Sequence, residues 1–480
     1  MSQALRPYQQ RSLEQLREGF AAHQRQLLVI PTGGGKTTVA AHMIRATLER
    51  SSEPNTVLFM AHRTELIEQC SERLDQNGLS AHGVIMAAHG RRRPFAPVQV
   101  ASVDTLANRP PLSPAPRLII ADECHRTLGG RQNRVIRDLY PRAFVVGLTA
   151  TPWRLDGRGL GQYERGVPQL FTRLVLGATY AQLIADGFIL EPQVLCPWKP
   201  SLRGVRKDAS GDYDEAELAK RCDQPQTIAD MVAVWLERAN GARTVAFAAS
   251  VQHSQHIAAA FQAAGVAAEH LDGTTPPEER RALLARLASG ETRLVSNYGV
   301  LTEGWDCPAV EVCILARPTR SLSLHMQCVG RVLRPAASAG KTRALVLDFA
   351  GSTLNHGWPT ADRAWTLADR PVEEREEREG CEDGDESLDV SVCPHCYAAR
   401  PGKRGACPEC GAVEASSPPD TEERSGVPLV EITRQTVARA TQPRQFGGNS
   451  EHDQWTPIRS ISLQHHLPAL SRTSRPHRRR

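Results

Sequence analysis

A glycine-rich segment near the N-terminus joins an apolar run to a helical pattern, and this arrangement narrows the possible folds more than any other feature. The segment Pro31–Thr37 reads Pro-Thr-Gly-Gly-Gly-Lys-Thr, the apolar run Leu27–Ile30 precedes it, and apolar residues recur at helical spacing over 38–50. Glycines adopt positive φ angles readily, so backbone N–H groups can surround an anion at the helix N-terminus. The pattern therefore predicts a phosphate-binding loop between a strand and a helix.

Within this loop, Lys36 is placed to reach the β and γ phosphates of a nucleotide, and the Thr37 hydroxyl is placed to face Mg²⁺. The general pattern G-x-x-x-x-G-K-[ST] is incomplete, because Ile30 stands at the outer glycine position. A flexible turn beside an ordinary surface lysine is the alternative interpretation. If the loop binds nucleotide, the expected contacts come from Thr32, Gly33, Gly34, Gly35, Lys36, Thr37 and Thr38.

The composition is that of a globular chain with several domains. It has 480 residues, 40% of them hydrophobic, which suits two or three compact domains. No apolar run approaches the roughly 20 residues of a membrane-spanning helix, and the first ten residues lack a signal-peptide core. We therefore expect no membrane contact and a cytoplasmic location. The net charge of +5 is only a weak indication that the protein binds polyanions.

Short apolar strands alternate with amphipathic helices in two parts of the chain, as is typical of parallel sheets covered on both faces. The predicted strands are Leu27–Ile30, Val57–Ala61, Val98–Ser102, Arg117–Ala121, Phe144–Leu148, Thr244–Ala248, Arg293–Ser296, Val312–Leu315 and Ala344–Leu347. We predict an α/β fold with one lobe over 1–151, a connecting or accessory segment over 152–240 and a second lobe over 241–355. Two such lobes leave a cleft that favours ligand binding.

The C-terminal part departs from this alternation. Residues 356–390 are predicted to be an acidic linker, because Glu373–Asp389 is dense in Glu and Asp. Residues 413–480 are predicted to be a low-complexity basic tail without fixed structure. The tail ends in an arginine-rich run that could touch nucleic acid.

Two C-x-x-C pairs lie between the linker and the tail, at 391–412. Four thiolates at this spacing can surround a tetrahedral zinc ion and leave no open position, which predicts a structural zinc ribbon. A redox dithiol or free thiols are the alternatives, although nothing around the pairs is typical of thioredoxin. The predicted ligands are Cys393, Cys396, Cys407 and Cys410.

An acidic pair follows one predicted strand. Asp122 and Glu123 come directly after Leu118–Ala121, and the carboxyl end of a strand is where nucleotide hydrolases place a magnesium ligand. Asp122 is the candidate ligand, and Glu123 can polarise an attacking water, because neighbouring strand residues point in different directions. Cys124 and His125 are alternatively a cysteine nucleophile and its base, although adjacent residues of an extended segment diverge.

In order and content, these segments resemble the superfamily-two helicases of the DEAD/DEAH type, here with a DECH box. The likeness looks strongest to bacterial RadD-type and prophage-type DNA helicases. It rests on Leu5–Gln9, Pro31–Thr37, Ala61–Arg63, Asp122–His125, Thr149–Pro152, Val245–Ser250, Leu301–Asp306 and Gln327–Arg334. The resemblance implies two tandem RecA-like lobes, ATP and Mg²⁺ as cofactors, and nucleic acid, DNA more than RNA, as the partner.

The same resemblance assigns roles to single residues. For the nucleotide it implies Lys36 and Glu123 in catalysis, Gln9 at the adenine, Asp306 in the nucleotide site, and Gln327, Arg331 and Arg334 from the second lobe. Guanidinium groups stabilise charge that spreads over phosphoryl oxygens. The resemblance further implies a polar relay between nucleotide and nucleic acid, formed by His125, Thr149 and Thr151.

For the nucleic-acid backbone, the resemblance implies contacts from Arg63, Thr105 and Thr302. Such contacts position a strand without reading its sequence. Capping threonines and a solvated arginine are the alternative for these three residues.

We expect an ATP-dependent nucleic-acid helicase or translocase on DNA, a class to which repair and recombination enzymes belong. A double-strand DNA translocase or remodelling subunit of a repair or restriction-like complex is the alternative within that class. A non-catalytic nucleic-acid-binding scaffold, with a protein partner recruited by the zinc ribbon or tail, is the alternative outside it. The complete set Lys36, Asp122, Glu123 and Arg331 argues against a scaffold.

Overall fold

The computed structural model describes residues 4–50, 56–87, 89–124, 131–153, 159–161, 170–208, 211–368, 390–393, 395–401, 406–412, 430–431 and 461–462. His125, the acidic run Glu373–Asp389 and most of the tail 413–480 lie outside these residues. The relay role predicted for His125 and the disorder predicted for the tail therefore stay predictions.

The first lobe is built on a seven-stranded parallel sheet. Its strands are β1 (Arg25–Val29), β2 (Val57–Ala61), β3 (Gly83–Ile85), β4 (Val98–Ser102), β5 (Leu118–Ala121), β6 (Phe144–Thr149) and β7 (Arg173–Leu176). Their order across the sheet is β3-β4-β2-β5-β6-β1-β7. Strands β2 and β5 are buried along their whole length, which is expected where helices cover both faces.

The helices of this lobe pack apolar faces against the sheet. They are α1 (Pro7–Gly19), α2 (Lys36–Glu49), α3 (Thr64–Gln76), α4 (Val103–Ala107), α5 (Arg131–Arg134), which continues into a π-helical turn (Val135–Leu139), and α6 (Tyr180–Ala185). The larger buried side chains of α2 are Val39, Met43 and Ile44, at the predicted helical spacing, and Ala40 and Ala41 are buried beside them.

The second lobe has an eight-stranded sheet. Its strands are β8 (Pro192–Leu195), β9 (Thr244–Phe247), β10 (Ala268–Leu271), β11 (Leu294–Asn297), β12 (Val312–Leu315), β13 (Ala344–Asp348), β14 (Val390–Val392) and β15 (Ala398–Pro401), in the order β10-β11-β9-β12-β13-β8-β15-β14. The first six strands in that order are parallel and the last two are antiparallel. The predicted pair of parallel α/β lobes is confirmed.

The described residues of the second half of the chain contain six α-helices. They are α7 (Glu215–Cys222), α8 (Pro225–Arg238), α9 (Val251–Ala263), α10 (Pro277–Ser289), α11 (Leu322–Gly330) and α12 (Ser352–His356), with a 3₁₀ turn at Ala337–Ala339. Two short strands, β16 (Val430–Glu431) and β17 (Ile461–Ser462), pair with each other. Within the described ranges, none of the helices combines the length and the apolar character needed to cross a bilayer.

The segment predicted as a connector over 152–240 is not separate from the lobes. Strand β7 pairs with β1 in the first sheet and β8 pairs with β13 in the second, while Trp235 on α8 lies in the second core. Pairing with neighbouring strands satisfies the backbone groups of β7 and β8, and Val175 and Val194 are buried, which alternation within a short window does not reveal. The sheets therefore extend past the predicted boundaries at 151 and 241.

The cysteine-bearing hairpin is also part of a lobe. Strand β15 pairs antiparallel with β8, aligning Ala398 with Leu195, and the N–H of Cys196 donates to the carbonyl of Tyr397 at 2.8 Å. The predicted ribbon over 391–412 thus continues the second sheet and does not form a domain of its own.

Candidate nucleotide site in the cleft between the lobes

The glycine loop closes tightly between β1 and α2. Gly33 and Gly35 have φ angles of +88° and +81°, the left-handed region that glycine tolerates. A Cβ on Gly34 would lie 2.4 Å from Cγ2 of Ile30. Ile30, which replaces the outer glycine of the general pattern, extends β1, since its N–H donates to the carbonyl of Thr149 at 3.0 Å. The loop is therefore compact although its pattern is incomplete.

Two side chains of α1 hold this loop. Tyr8 Oη donates to the carbonyl of Gly34 at 2.5 Å, and Gln9 Nε2 donates to the same carbonyl at 3.1 Å. Gln9 Oε1 accepts from the N–H of Arg6 at 2.9 Å. Gln9, expected at the adenine, thus lies at the loop with both ends of its amide engaged. Tyr8 was not predicted, and its place directly before Gln9 is the signal that could have revealed it.

The two acids lie at the carboxyl end of β5 and face the loop. Lys36 Nζ is 3.9 Å from Glu123 Oε1. The backbone of Glu123 is left-handed, with φ +46°, and its N–H donates to Asp122 Oδ1 at 3.0 Å. Burial raises the pKa of Asp122 to about 7; Glu123 adds to this rise, and Lys36 opposes it. The predicted loop and acids therefore share one site.

The Thr37 hydroxyl and the Asp122 carboxylate are oxygen donors that fit a magnesium-bound nucleotide. Thr37 lies in the first turn of α2, whose leading N–H groups have no partners within the helix. Hydroxyl and carboxylate oxygens are the ligands that Mg²⁺ prefers, and a cation beside Asp122 would offset the cost of burying its charge. Thr32 is buried and Thr38 is half-buried beside them. Burial raises the pKa of the Cys124 thiol, which argues against a cysteine nucleophile.

The predicted arginines of the second lobe lie at the cleft. Arg331 donates from Nη2 to the carbonyl of Thr302 at 2.8 Å and from Nη1 to the carbonyl of Trp305. Burial lowers the pKa of Arg331, Arg334 lowers it further, and the charge of Glu123 across the cleft opposes both effects. Arg331 therefore lies within electrostatic reach of the first lobe's acid.

Arg334 lies against the glycine loop and pairs with an acid of its own lobe. A Cβ on Gly33 would lie 3.5 Å from Cγ of Arg334. The guanidinium forms an ion pair with Asp306, whose Oδ2 is also 3.7 Å from Arg73 Nη2. Asp306, expected in the nucleotide site, is thus placed beside an arginine that borders that site.

Helix α11 brings the second lobe close to the loop. Gln327 on this helix is buried. At Gly330, the last residue of α11, a Cβ would lie 2.7 Å from Cβ of Thr32 and 2.6 Å from its Cγ2. Only a residue without a side chain allows this approach, so Gly330 sets the width of the cleft. Gly330 stands inside the quoted motif but was not predicted as functional.

A polar chain crosses the cleft at the end of β6. Thr149 Oγ1 accepts from the N–H of Thr151 at 3.1 Å and donates to its carbonyl at 2.7 Å. Thr151 Oγ1 donates to Ser323 Oγ, on α11, at 2.8 Å. The two predicted relay threonines are therefore linked directly to the helix that leads to Arg331. Ser323 was missed, because serines on helices are common and only the fold reveals this partner.

The residues predicted to hold nucleic acid occupy different surroundings. Arg63 Nη1 donates to the carbonyls of Gly299 and Val300 at 3.0 and 3.3 Å, and its Nε is 3.5 Å from the buried Glu303. Thr302 is buried in the same loop, whereas Thr105 is half-buried on α4. The guanidinium of Arg63 thus contacts the loop that contains Thr302, while Thr105 lies on a separate element, α4.

Glu303 is a charged group that sequence reasoning missed. It is 1% exposed, and its Oε2 lies 2.8 Å from His62 Nε2 as well as near Arg63. A carboxylate buried to this extent is costly unless cations face it. Glu303 therefore joins the two lobes through the segment that carries Arg63.

The four cysteines converge at the far edge of the second lobe. Cys393 Sγ is 3.5 Å from Cys410 Sγ, Cys396 Sγ is 3.5 Å from Cys407 Sγ, and all four sulfurs lie within 4.8 Å of one another. Zn–S bonds of about 2.3 Å in a tetrahedron place sulfurs about 3.8 Å apart, so the cluster has the size of a metal site. His395 between the first pair is exposed.

Two family models match the chain in the order of the lobes. Residues 2–154 match the model described as type III restriction enzyme, res subunit. Residues 224–336 match the model of the helicase conserved C-terminal domain. Both lie over the lobes that form the cleft.

Individual proteins are also similar to this chain over most of its length. The irc3 protein of Schizosaccharomyces pombe, named among mitochondrial ATP-dependent helicases, is 33% identical over 72% of this chain and 57% of its own length. A 51.5 kDa protein of a Lactococcus phage is 28% identical over 79% of this chain and 76% of its own. The chain thus spans little more than half of the yeast relative.

A solved structure shows the same fold. The ATP-dependent restriction-modification enzyme LlaBIII bound to DNA superposes with a TM-score of 0.54 at 18% identity, over 73% of this chain and 28% of that one. The finer likeness to RadD-type and prophage-type helicases stays a prediction. The first lobe is matched by the model of a restriction-enzyme subunit and the second by the model of the helicase conserved C-terminal domain. Together with the helicase relative from Schizosaccharomyces pombe, these matches identify the chain as a member of the superfamily-two helicases of the DEAD/DEAH type, ATP-hydrolysing enzymes.

Proposed function

We propose that the chain is an ATP-dependent motor on nucleic acid, a DNA helicase or translocase that advances along a strand as its two lobes close and open. The observation that carries this proposal is the composite cleft, in which Arg334 of the second lobe lies against Gly33 of the first and Arg331 lies within electrostatic reach of Glu123. A site split between lobes makes hydrolysis depend on closure. DNA is favoured because the first lobe matches a restriction-enzyme family and the box reads DECH.

In this proposal, each side chain acts on the nucleotide from a fixed place. Lys36 binds the β and γ phosphates, Thr37 and Asp122 hold Mg²⁺, and Glu123 accepts a proton from the attacking water. Bound magnesium would neutralise charge on the phosphate oxygens. Arg331 stabilises the charge of the transition state when the cleft is closed.

Gln9, Gln327, Arg334 and Asp306 complete the proposed nucleotide site. Gln9 fixes the loop through Gly34 and would release one end of its amide to an adenine. Arg334 would exchange Asp306 for a phosphate, since both partners offer paired anionic oxygens. Gln327 is buried on α11, where it can orient the helix that presents Arg331.

Nucleic acid would act on this cleft through Arg63. A backbone phosphate and Glu303 offer the same charge to that guanidinium, so the two would compete for it. A strand bound between the lobes would draw Arg63 away from Glu303, and Thr302 and Thr105 would line the same path. A shift of the first lobe on binding the nucleic-acid strand would then be transmitted to α11 through the hydrogen bond from Thr151 to Ser323.

At the edge of the second sheet, we assign the cluster of Cys393, Cys396, Cys407 and Cys410 to a structural zinc ion. The four thiolates leave no open coordination position, so the metal would fold the hairpin and take no part in catalysis. The same proposal includes a protein partner that binds this hairpin, where the side chain of His395 is exposed.

ATP turnover with single-stranded, duplex and branched DNA and with RNA tests the proposed function. We expect stimulation by DNA above RNA, and Lys36→Ala should lose hydrolysis while still binding nucleic acid. Equal loss of both activities would mean that the site is misplaced. Strand-displacement assays separate a helicase from a double-strand translocase, and wild-type protein without turnover on any nucleic acid would favour the scaffold.

A further inference from the structure

A small insertion covers the carboxyl edge of the second sheet. It comprises the described residues 201–208 and 211–223, between β8 and α8, and is called here the edge insertion. Lys207 forms an antiparallel bridge with Tyr213 around a turn at Gly211, whose φ is +87°. Leu218 and Cys222 of α7 pack against Ala249, which follows β9. The edge insertion is thus a folded element seated on the lobe.

Three acidic residues fasten this element to the sheet edge. Asp212 accepts from Thr319 Oγ1 and from the N–H of Arg320, both at 2.8 Å. Asp223 pairs with His256 on α9 at 2.8 Å, and Glu215 hydrogen-bonds Tyr298. Three of the six acids in the described part of the edge insertion therefore hold the element on the lobe.

Tyr298 links the edge insertion to the proposed nucleic-acid path. It directly follows β11 and precedes Gly299, whose carbonyl accepts from Arg63. Thr319 and Arg320 follow β12, so both anchors lie at the carboxyl edge of the sheet. The edge insertion therefore lies next to the loop 299–302, which Arg63 contacts.

Basic residues form the outer face of the edge insertion. Five are exposed: Arg203, Arg206, Lys207, Lys220 and Arg221. The exposed acids among its described residues are Asp208 and Glu215, of which Glu215 is bound to Tyr298. Contacts of Arg206 with Glu217 at 2.6 Å and of Arg221 with the carbonyl of Arg203 at 3.3 Å gather these bases around α7.

Three acids of the edge insertion thus contact the lobe while its five bases are exposed, and among those bases Glu217 neutralises part of the charge at Arg206. A polyanion is the partner that such a face fits, and the adjoining cleft already offers a path for one. We propose that the outer face of the edge insertion binds the sugar–phosphate backbone of the nucleic-acid strand and extends its path from the cleft onto the second lobe. The proposal rests on the proposed function, and the contacts carry no sequence preference.

Charge-neutralising variants test this surface. Arg203→Gln, Lys207→Gln and Lys220→Gln are combined in one test triple, because all three side chains are exposed on the outer face. The matched control removes the same charge elsewhere on the lobe, at α10 and before β11 and β13, with Arg281→Gln, Arg293→Gln and Arg343→Gln. Affinity for a fluorescent single-stranded DNA is measured by anisotropy over a range of salt concentrations.

Each phosphate contact on single-stranded nucleic acid contributes about 0.7 to the slope of log affinity against log salt. Loss of three contacts should reduce the slope by about 2 and the affinity at about 0.15 M salt by roughly 50-fold, or about fourfold per contact. The control triple should keep the wild-type slope. A charge-retaining triple, Arg203→Lys, Lys207→Arg and Lys220→Arg, should restore both values.

Equal slopes in the test and control triples would overturn the proposal and favour an acidic protein as the partner of this face. Failure of the charge-retaining triple to restore binding would also overturn it, since the loss would then be structural. If the wild-type protein bound no nucleic acid at any salt concentration, the proposed function itself would fail. The two failures are therefore distinguishable.

Discussion

Replacing Thr151 with valine measures how strongly one hydrogen bond couples the lobes. Thr151 Oγ1 donates to Ser323 Oγ at 2.8 Å, and both residues are buried. Valine has nearly the shape of threonine, so the change removes the bond and leaves the serine hydroxyl without that donor. The loss costs about 1 to 2 kcal/mol in the closed arrangement. If closure precedes hydrolysis, turnover should fall about 5- to 30-fold.

The assay is steady-state ATP hydrolysis at saturating DNA, with nucleotide affinity measured separately and expected to change little. Ser323→Ala and the double variant complete a cycle, and the expected interaction energy is about 1 kcal/mol, because removing both hydroxyls leaves neither one unpaired. Thr151→Ser, which keeps the hydroxyl, should retain most of the turnover. Additive losses in the cycle, or normal turnover in Thr151→Val, would refute coupling through this bond.

Three further changes test other parts of the site. Arg331→Ala should lower turnover by about 10³-fold or more with little effect on nucleotide affinity, whereas Arg343→Ala should leave both unchanged; normal turnover in Arg331→Ala would remove it from the transition state. Burial raises the pKa of Asp122 to about 7, whereas an unfolded Asp has a pKa of about 4. Between about pH 4 and about pH 7 the folded state keeps a proton that the unfolded state loses. The nucleotide-free protein is therefore destabilised increasingly over this range, and the full cost of burying ionised Asp122 is present above it. Asp122→Asn should therefore raise the unfolding midpoint at pH 8, and a gain that does not shrink towards pH 5 would contradict this cause. Cys407→Ser should abolish zinc retention, measured by metal analysis, and lower the unfolding midpoint, whereas Cys70→Ser, far from the hairpin in sequence, should keep the metal.

Much of the nucleotide site could be predicted from the sequence, because its residues follow strands with strong local signals. Lys36, Asp122 and Glu123 lie at one end of a parallel sheet, and alternating strands and helices bring such ends together in any doubly covered sheet. The predicted bounds of β2, β4 and β12 match the structure. Local pattern was sufficient where strands are central and wholly buried.

The remaining features depend on partners that are distant along the chain. Strand β7 at the edge of the first sheet and strand β8 inside the second are short, and their places are set by pairing with distant strands. Thr151 likewise contacts Ser323 only because the two lobes adjoin. A residue type carries no information about which of two charged partners it faces. Arg63 was accordingly predicted beside phosphate, whereas in the structure it lies beside Glu303.

The pairing of β15 with β8 predicts the effect of a C-terminal truncation. If the chain were cut ahead of β14, the backbone groups of Val194 and Leu195 that now face β15 would lie at an open border of the sheet. Open borders rich in apolar residues invite a second molecule to add its own strand. By pairing with β8, the cysteine hairpin covers backbone groups that could otherwise pair with a second molecule. A protein truncated before β14 should therefore aggregate, although it retains every residue of the nucleotide cleft.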